Sequence, residues 1–450
     1  MNMLNTFIEP SKITVISENN FNINLFTTTE EKTEVFFEGK IINKILFRDL
    51  AVFLNEVVEA RFYRPDLWRY LDPVITCEKN NIRFECFSSC ASVYARVDLE
   101  SAFFENYKLR KKGTTNVNFN RDFINSLMTL RQNNEVNFEV GKDEISIKTE
   151  NTQVKEKKVK LPERWIKGFL QSQAIFSKSK LIFSLNSIPA KQFIASIITR
   201  LKDRVYILDK GGKLHISEIK PSNDNFIEIS GLHRVKLLSK LIPSIKMLNI
   251  YKIEETGGTI WVIAVDNAVI TLALSNEVSS GFSGEGEGLR NISSEQDQYT
   301  LDFTQNIIKN LDFFNIKDLS HILELDESKT SETIDILSQS GLVGYDCLKK
   351  TYFYRELPFK KIINSRLNNA KNLFIEENID IKELKKEKNY FYAEAIIKGK
   401  TDTYLTKIEV EKGYIKSGNC SCEWITKNEG LKRGPCKHII ALRFFIEEKL

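Results

Sequence analysis

Two short motifs near the end of the chain contain the residues best suited to chemistry. Cys420 and Cys422 are separated by one residue, and Cys436 and His438 repeat that spacing after 13 intervening residues. On an extended strand, two cysteines at i and i+2 point to the same face. The second pair follows a Gly-Pro turn and opens an apolar stretch with helical spacing. Three thiolates and one imidazole are the closed, tetrahedral ligand set that structural zinc prefers, so the motifs predict metal binding without catalysis.

Basic residues near the motifs suit a site with excess negative charge. Three thiolates and Zn²⁺ together carry a charge of about −1, which Lys432, Arg433 and Lys437 are placed to offset. Cys436 precedes the predicted helix, where the helix dipole favours the thiolate form. Since four protein ligands fill a tetrahedral site, the metal is expected to stabilise the fold and not to activate water. The alternative is a set of free cysteines that share this spacing by chance.

Composition indicates a globular protein of several domains. Hydrophobic residues make up 42% of the 450 residues and charged residues 28%, which excludes a disordered or membrane-embedded chain. The net charge of +5 is too small to indicate a nucleic-acid partner, although its excess lies in residues 359–450. No secretory signal and no long apolar run is visible, so we predict a cytoplasmic protein without a membrane span. In a reducing cytoplasm, clustered cysteines indicate a metal site more naturally than disulfides.

The N-terminal part alternates helices with short strands. Residues 1–276 contain helical patterns at 46–54, 121–130 and 232–241, each followed by short strands with turns of hairpin length. Such turns cannot make parallel crossovers, so these residues predict an α+β fold of repeated helix and antiparallel-strand modules, in one domain or two. The module rhythm loosely resembles that of sliding clamps.

Catalytic signatures are absent from the sequence. Cys77, Cys86 and Cys90 form a second cysteine group without a histidine, which predicts buried thiols, with a zinc site completed from elsewhere as the alternative. The other histidines stand apart from one another, and no Ser-His-Asp order is present. We therefore expect that the protein is not an enzyme.

A linker and a helical segment follow the modules. Residues 277–300 are rich in glycine and glutamate, as in a flexible linker. Residues 301–360 show three helices and a hairpin, which is a winged-helix-like layout. Its third helix carries Lys329, Glu332 and Asp335, a poor charge balance for contacts to phosphate or guanine. The hairpin, or wing, carries Lys349, Lys350 and Tyr352, which could contact a DNA backbone. A structural or protein-docking role and a DNA-reading role are the two alternatives for this segment.

The remaining residues, 361–450, carry a family resemblance. A β ribbon at 390–398 and 404–410, the Cys-x-Cys and Cys-x-His pairs and a following helix resemble the SWIM zinc finger. The resemblance covers about residues 390–450, and it implies zinc bound by Cys420, Cys422, Cys436 and His438. The whole layout resembles bacterial SWIM-finger proteins, which are often encoded beside MoxR-type AAA+ ATPases and von Willebrand A-domain proteins. It implies a partner system without a defined biochemical activity.

These observations predict a zinc-binding, non-enzymatic adaptor that binds a protein partner, nucleic acid or both through the finger. The resemblance makes a MoxR-type AAA+ ATPase or a von Willebrand A-domain protein the expected partner. The expected contact surface is the spacer between the ligand pairs and its end, which display Trp424, Lys427, Lys432, Arg433 and Lys437. The alternative is a DNA-binding protein that uses the winged helix together with the SWIM finger.

Overall fold

A computed structural model of the chain describes most of its residues. The described residues are 14–17, 20–22, 35–63, 73–116, 119, 121–141, 144–149, 153–157, 163–198, 204–211, 213–222, 226–254, 256–279, 281–283, 298–357, 365–376, 378–399, 402–411, 413–428 and 430–449. The chain forms two compact units. Unit 1 comprises residues 1–165, 179–281 and 356–358, and unit 2 comprises residues 166–178, 282–355 and 359–450.

Unit 1 contains most of the strands of the chain. They are β1 (Thr14–Ser17), β2 (Asn20–Asn22), β3 (Val35–Ile41), β4 (Val74–Cys77), β5 (Asn81–Phe87), β6 (Val93–Glu100), β7 (Phe104–Leu109), β8 (Gly113–Asn116), β9 (Val136–Gly141), β10 (Glu144–Thr149), β11 (Gln153–Lys157), β12 (Ser179–Asn186), β13 (Arg204–Lys210), β14 (Lys213–Ser217), β15 (Phe226–Ser230), β16 (Met247–Ile253), β17 (Thr259–Val265) and β18 (Ala268–Leu274).

Helices lie between groups of these strands. They are α1 (Lys44–Glu59), α2 (Arg121–Met128) and α4 (Ser187–Ile198), while α3 (Glu163–Phe176) begins in unit 1 and continues in unit 2. Three 3₁₀ helices described in this unit or at its boundary cover Ser101–Phe103, Leu232–Ser244 and Gly281–Ser283, so the helix predicted at 232–241 has 3₁₀ geometry. Pro243 lies inside it and lacks the N–H that an α-helix would need there.

Antiparallel pairing throughout unit 1 confirms the predicted α+β class with antiparallel sheets. An eight-stranded sheet has the order β12-β16-β17-β18-β6-β5-β4-β8, and a five-stranded sheet has the order β11-β10-β9-β3-β7. A three-stranded sheet, β14-β13-β15, and a β1-β2 pair complete the unit. Pairing of β6 with β18 joins strands that are far apart in sequence, which short-range patterns cannot predict.

One face of the eight-stranded sheet carries a buried ionic network. Asp98 lies 2.7 Å from Arg83 Nε and 2.7 Å from Arg96 Nε, and it accepts a hydrogen bond of 3.1 Å from Asn81. Arg83 also pairs with Glu78 at 2.9 Å. Arg83 and Arg96 are at most 1% exposed, so their charges depend on these carboxylates for compensation. The network therefore fixes the register of β5 and β6 as well as their charge balance.

Unit 2 combines helices with two small sheets. Its strands are β19 (Val343–Asp346), β20 (Thr351–Tyr354), β21 (Ile379–Glu387), β22 (Tyr390–Lys398), β23 (Thr403–Glu411) and β24 (Tyr414–Cys420). Its helices are α5 (Gln298–Ile308), α6 (Ile316–Leu323), α7 (Glu327–Gln339), α8 (Ser365–Ile375), α9 (Glu423–Lys427) and α10 (Lys437–Lys449), with a 3₁₀ helix at Gly430–Arg433. The antiparallel order of the larger sheet is β21-β22-β23-β24.

Two elements of unit 2 differ from the sequence prediction. The sequence predicts a two-stranded ribbon at 390–398 and 404–410, whereas the structure has four strands, with β21 before the ribbon and β24 after it. β21 is an edge strand in which Lys385 pairs with Glu383 at 2.7 Å. Because charged residues are frequent along it, the strand lacks the alternation of apolar and polar residues that would predict it from the sequence. Residues 280 and 284–297 of the predicted linker lie outside the described residues.

The helix α7 is shared by two apolar cores of unit 2. Ile334 and Leu337 belong to the core formed with α5, α6 and β19, and Ile336 packs against the core of the four-stranded sheet and α10. The winged-helix-like segment and the cysteine-bearing segment are thus packed together within one unit. Among the described helices, none is both long and apolar enough to cross a membrane.

The last turns of α10 hold a buried ion pair next to α7. Glu447 accepts hydrogen bonds of 3.2 to 3.3 Å from Arg443 Nε, and Arg443 also donates to the Gly413 carbonyl. Burial raises the pKa of Glu447 to about 7, the nearby Arg443 and Lys386 oppose this, and the charge of Glu332 on α7 adds to it. The end of α10 therefore contains a carboxyl group that titrates near neutral pH.

We expect that Asp98→Asn lowers the free energy of unfolding by about 3–5 kcal/mol, because it leaves two buried arginines without their shared carboxylate. Urea unfolding of the full chain, followed through the aromatic residues of unit 1, measures the loss. The control is Glu38→Gln, since Glu38 pairs with the half-exposed Arg110 at 2.8 Å and should cost no more than about 1 kcal/mol. Equal losses in both variants would contradict a special role for the buried network.

Glu447→Gln should remove a pH dependence of stability. Because the folded pKa is raised above the unfolded value, the unfolded chain loses its proton first as the pH rises from about 4.5 to about 7. The unfolding free energy of the unaltered protein should therefore fall relative to that of the variant across this window, by up to about 3 kcal/mol. Unfolding curves of both proteins at several pH values measure this difference. A constant difference would show that Glu447 ionises normally.

Candidate metal centre

The four predicted ligands lie together in unit 2. Cys420 ends β24, Cys422 caps α9, Cys436 directly precedes α10, and His438 lies in its first turn. All four residues are buried, and their ligand atoms all lie within 4.8 Å of one another. Strand, short helix and long helix thus deliver the two pairs from different directions. The group is geometrically able to hold a metal ion.

The orientation of His438 identifies its ligand atom. Nδ1 lies 3.6 Å from Cys420 Sγ and 3.9 Å from Cys436 Sγ. The buried Nε2 atom has no hydrogen-bond partner among the described residues. Tyr404 on β23 stacks on the imidazole, with ring centroids 4.1 Å apart and planes inclined by 23°. Nδ1 is therefore the nitrogen placed to bind a metal, and the tyrosine ring restricts rotation of the imidazole.

The electrostatics of the cluster call for a cation. Hydrogen bonds from Cys420 and Cys436 lower the pKa of Cys422, while burial raises the pKa of Cys436. The hydrogen bond with Cys422 raises the pKa of Cys420 to about 11. The three thiols thus interact strongly, and ionisation of one disfavours ionisation of the others. A dication would permit all three to ionise, as metal coordination requires.

Backbone and side-chain donors also face the sulfurs. The backbone N–H of Ile425 bonds to Cys422, and that of Cys422 bonds to Cys420, both of which favour the thiolate. The hydroxyl of Thr406 on β23 lies 3.4 Å from Cys420 Sγ. Donors of this kind disperse thiolate charge and orient the ligands.

Close packing of β24 against α10 supports the site. A Cβ atom at Gly418 would lie 3.2 Å from Ile439 Cδ1 and 3.4 Å from the Lys407 carbonyl oxygen. Ile439 is fully buried, directly after His438. A Cβ atom there would require the end of the Ile439 side chain to shift by a few tenths of an ångström. The glycine two positions before Cys420 thereby suits the close packing of β24 against α10.

The spacer between the pairs is folded. Trp424 is half-buried and donates its Nε1–H to the Gly434 carbonyl at 3.3 Å. Lys427 is exposed and pairs with Glu423 one helical turn earlier, and Lys437 is half-buried. The side chains of Lys432 and Arg433 lie outside the described residues. The use of Trp424, Lys427, Lys432, Arg433 and Lys437 as a partner surface stays a prediction.

The second candidate interface, α7 with the wing, is largely packed inside unit 2. Asp335 is 4% exposed and Thr333 is fully buried. Tyr352 is 8% exposed and stacks on Phe314 with centroids 5.7 Å apart. From Thr330 onward, no residue of α7 is exposed. Only the first turn of this helix is therefore accessible to a groove of DNA.

The second cysteine group has the character of buried thiols. Cys77, Cys86 and Cys90 are buried in unit 1, and burial raises the pKa of Cys77 and of Cys86. Burial also acts to raise the pKa of Cys90, but hydrogen bonds with Ser88 and Ser92 outweigh it and lower that pKa. Raised thiol pKa values disfavour both metal binding and nucleophilic reactivity. Within the described part of the chain, only the cluster of Cys420, Cys422, Cys436 and His438 combines at least three metal-ligating side chains at this distance.

Comparisons with known proteins add a distant structural likeness. No family model matches the chain, and no curated protein matches it. Among solved structures, proliferating cellular nuclear antigen from Entamoeba histolytica is 14% identical, covering 54% of this chain and 99% of its own, with a TM-score of 0.38. The PCNA2–PCNA3 complex from Sulfolobus tokodaii is 13% identical with the same coverage and a TM-score of 0.39. These TM-scores are too low for the likeness to assign a function.

Proposed function

We propose that the chain is a zinc-stabilised, cytoplasmic and non-enzymatic adaptor of the SWIM-finger type, which binds a protein partner, nucleic acid or both. The observation that carries this proposal is the convergence of Cys420, Cys422, Cys436 and His438 within 4.8 Å in a buried site. Three sulfurs and one imidazole nitrogen are typical ligands for Zn²⁺, which accepts tetrahedral coordination without a redox change. Four protein ligands leave no open position for a substrate.

The proposed role of zinc is to hold the finger together. Cys420 and Cys436 belong to the same apolar core as Ile408, Ile439 and Phe444. A metal bond between the two ligand pairs would join β24 and α10 around this core. The binding free energy of the ion then contributes directly to the folding of residues 390–450.

The proposed partner is a protein. The domain layout resembles that of bacterial SWIM-finger proteins, which supports a MoxR-type AAA+ ATPase or a von Willebrand A-domain protein as partner. The packing of α7 supports this choice over DNA reading, since Asp335 and Thr333 on that helix are covered. DNA recognition by the winged helix and the finger together is the alternative, and the exposed Lys349 and Lys350 of the wing are its main support.

Zinc removal is expected to unfold part of unit 2 alone. In Cys422→Ala, or after chelation, residues from about Tyr390 onward should lose protection, because the ligand pairs no longer hold β24 against α10. The modules of unit 1 should remain folded. Metal analysis of the purified protein and amide hydrogen exchange measure these outcomes. A matched control is Cys347→Ala, which alters a buried cysteine of unit 2 outside the cluster. Purified protein without zinc would refute the proposal.

A salt series distinguishes the two binding modes. If the finger and the wing contact DNA phosphates, affinity for duplex DNA should fall steeply between about 50 and 200 mM salt, because counterions are released on binding. Fluorescence anisotropy with labelled DNA measures this dependence, and Lys349→Gln with Lys350→Gln tests the wing. We expect weak binding that these changes leave unaltered. Tight binding that the double variant abolishes would favour the DNA-binding alternative.

A further inference from the structure

We propose that Trp424 and Arg366 are positioning residues for the metal centre: together they form a brace that fixes the separation of the two ligand pairs. This inference rests on the proposed zinc site and assigns to Trp424 an intramolecular role. The brace connects three places that the sequence separates. They are the start of α8 at Arg366, the short helix α9 at Trp424, and the turn Gly434-Pro435 directly before Cys436.

The tryptophan links the two ends of the spacer. Trp424 follows Cys422 by two residues, and Gly434 precedes Cys436 by two residues. The Trp424 Nε1–H donates to the Gly434 carbonyl oxygen at 3.3 Å. This one hydrogen bond therefore connects the polypeptide immediately after the first ligand pair with that immediately before the second. Gly434 has φ +77°, a left-handed conformation that suits glycine and aims the turn at the site.

The arginine stacks over one face of the same ring. The Arg366 guanidinium carbon lies 3.9 Å from the Trp424 ring centroid, and Nη1 donates to the Pro435 carbonyl oxygen at 3.2 Å. Cation–π contacts are strongest on tryptophan, and a planar guanidinium can stack and donate at the same time. Both carbonyls of the Gly434-Pro435 turn are thus bound, one by each member of the brace.

The brace reduces the free-energy cost of ordering the spacer when the metal binds. In a free spacer, the second pair would have to be ordered when the ion binds, and that ordering would weaken the observed affinity. With α9, the turn and the start of α8 connected by their own contacts, less of the binding free energy of the ion is needed to bring Cys436 to Cys422. Residues that orient metal ligands typically change affinity by about 10–100-fold when they are replaced.

Zinc affinity of the full chain tests the brace. Competition with a chromophoric chelator should show that Trp424→Phe, which keeps a ring but loses the N–H, weakens zinc binding about tenfold. Arg366→Gln should weaken it by about 10–100-fold. Arg366→Lys keeps the charge but cannot stack and donate in the same geometry, so it should not restore the affinity. Lys385→Gln is the matched control. It removes a cation that lies 5.7 Å from an aromatic ring, that of Tyr392 on the neighbouring strand, and neither residue belongs to the brace.

Substitution with Co²⁺ separates positioning from folding. The thiolate-to-cobalt absorption should retain its intensity in all brace variants, because the four ligands remain, while the concentration of Co²⁺ needed to reach it rises. Unchanged affinities in Trp424→Phe and Arg366→Gln would overturn the brace, as would an equal loss in Lys385→Gln. Failure of the unaltered chain to bind zinc would instead overturn the proposed function, and the brace with it.

Discussion

Three sulfur atoms and an imidazole nitrogen within 4.8 Å of one another are the constraint on which unit 2 depends. So many thiols cannot ionise together in a buried place without a cation, because their charges repel and burial penalises each of them. The chain reaches this arrangement through close contact of β24 and α10, which Gly418 permits. The sheet, the helix and the turn therefore all position the same four ligands. The apolar core around these ligands excludes water from the site.

The helix α10 carries that constraint into the rest of the unit. Its first turn holds His438, its middle contributes Ile440 and Phe444 to the core, and its last turns present Arg443 and Glu447 beside α7. Since α7 also belongs to the core of the winged-helix-like segment, the two segments share a packed boundary. A change at the metal centre can thus reach α7 through the packing of Ile336 against this core.

The sequence predicted features that depend on residues close together in the chain. The helical spacing at 46–54 falls within α1, Lys44–Glu59, and the ligand set was readable because its pairs are close in sequence. The network around Asp98 was not predictable, because alternating charged residues on a strand normally indicate a face in water, whereas this face is buried. The contact between Arg366 and Trp424 was also not predictable, because the two residues are far apart in the sequence and no local pattern around one indicates the other.

The turn between β23 and β24 has a consequence for the order of assembly. Cys420 lies at the end of this hairpin, and Cys422 is two residues further on, so a local structure with few long-range contacts can present half of the ligands. An ion captured there has only to close the 13-residue spacer to reach Cys436. The entropy of closing such a loop grows only with the logarithm of its length. The hairpin can therefore form locally and present its two cysteines, and the braced spacer and the last helix complete the ligand set when they dock on it.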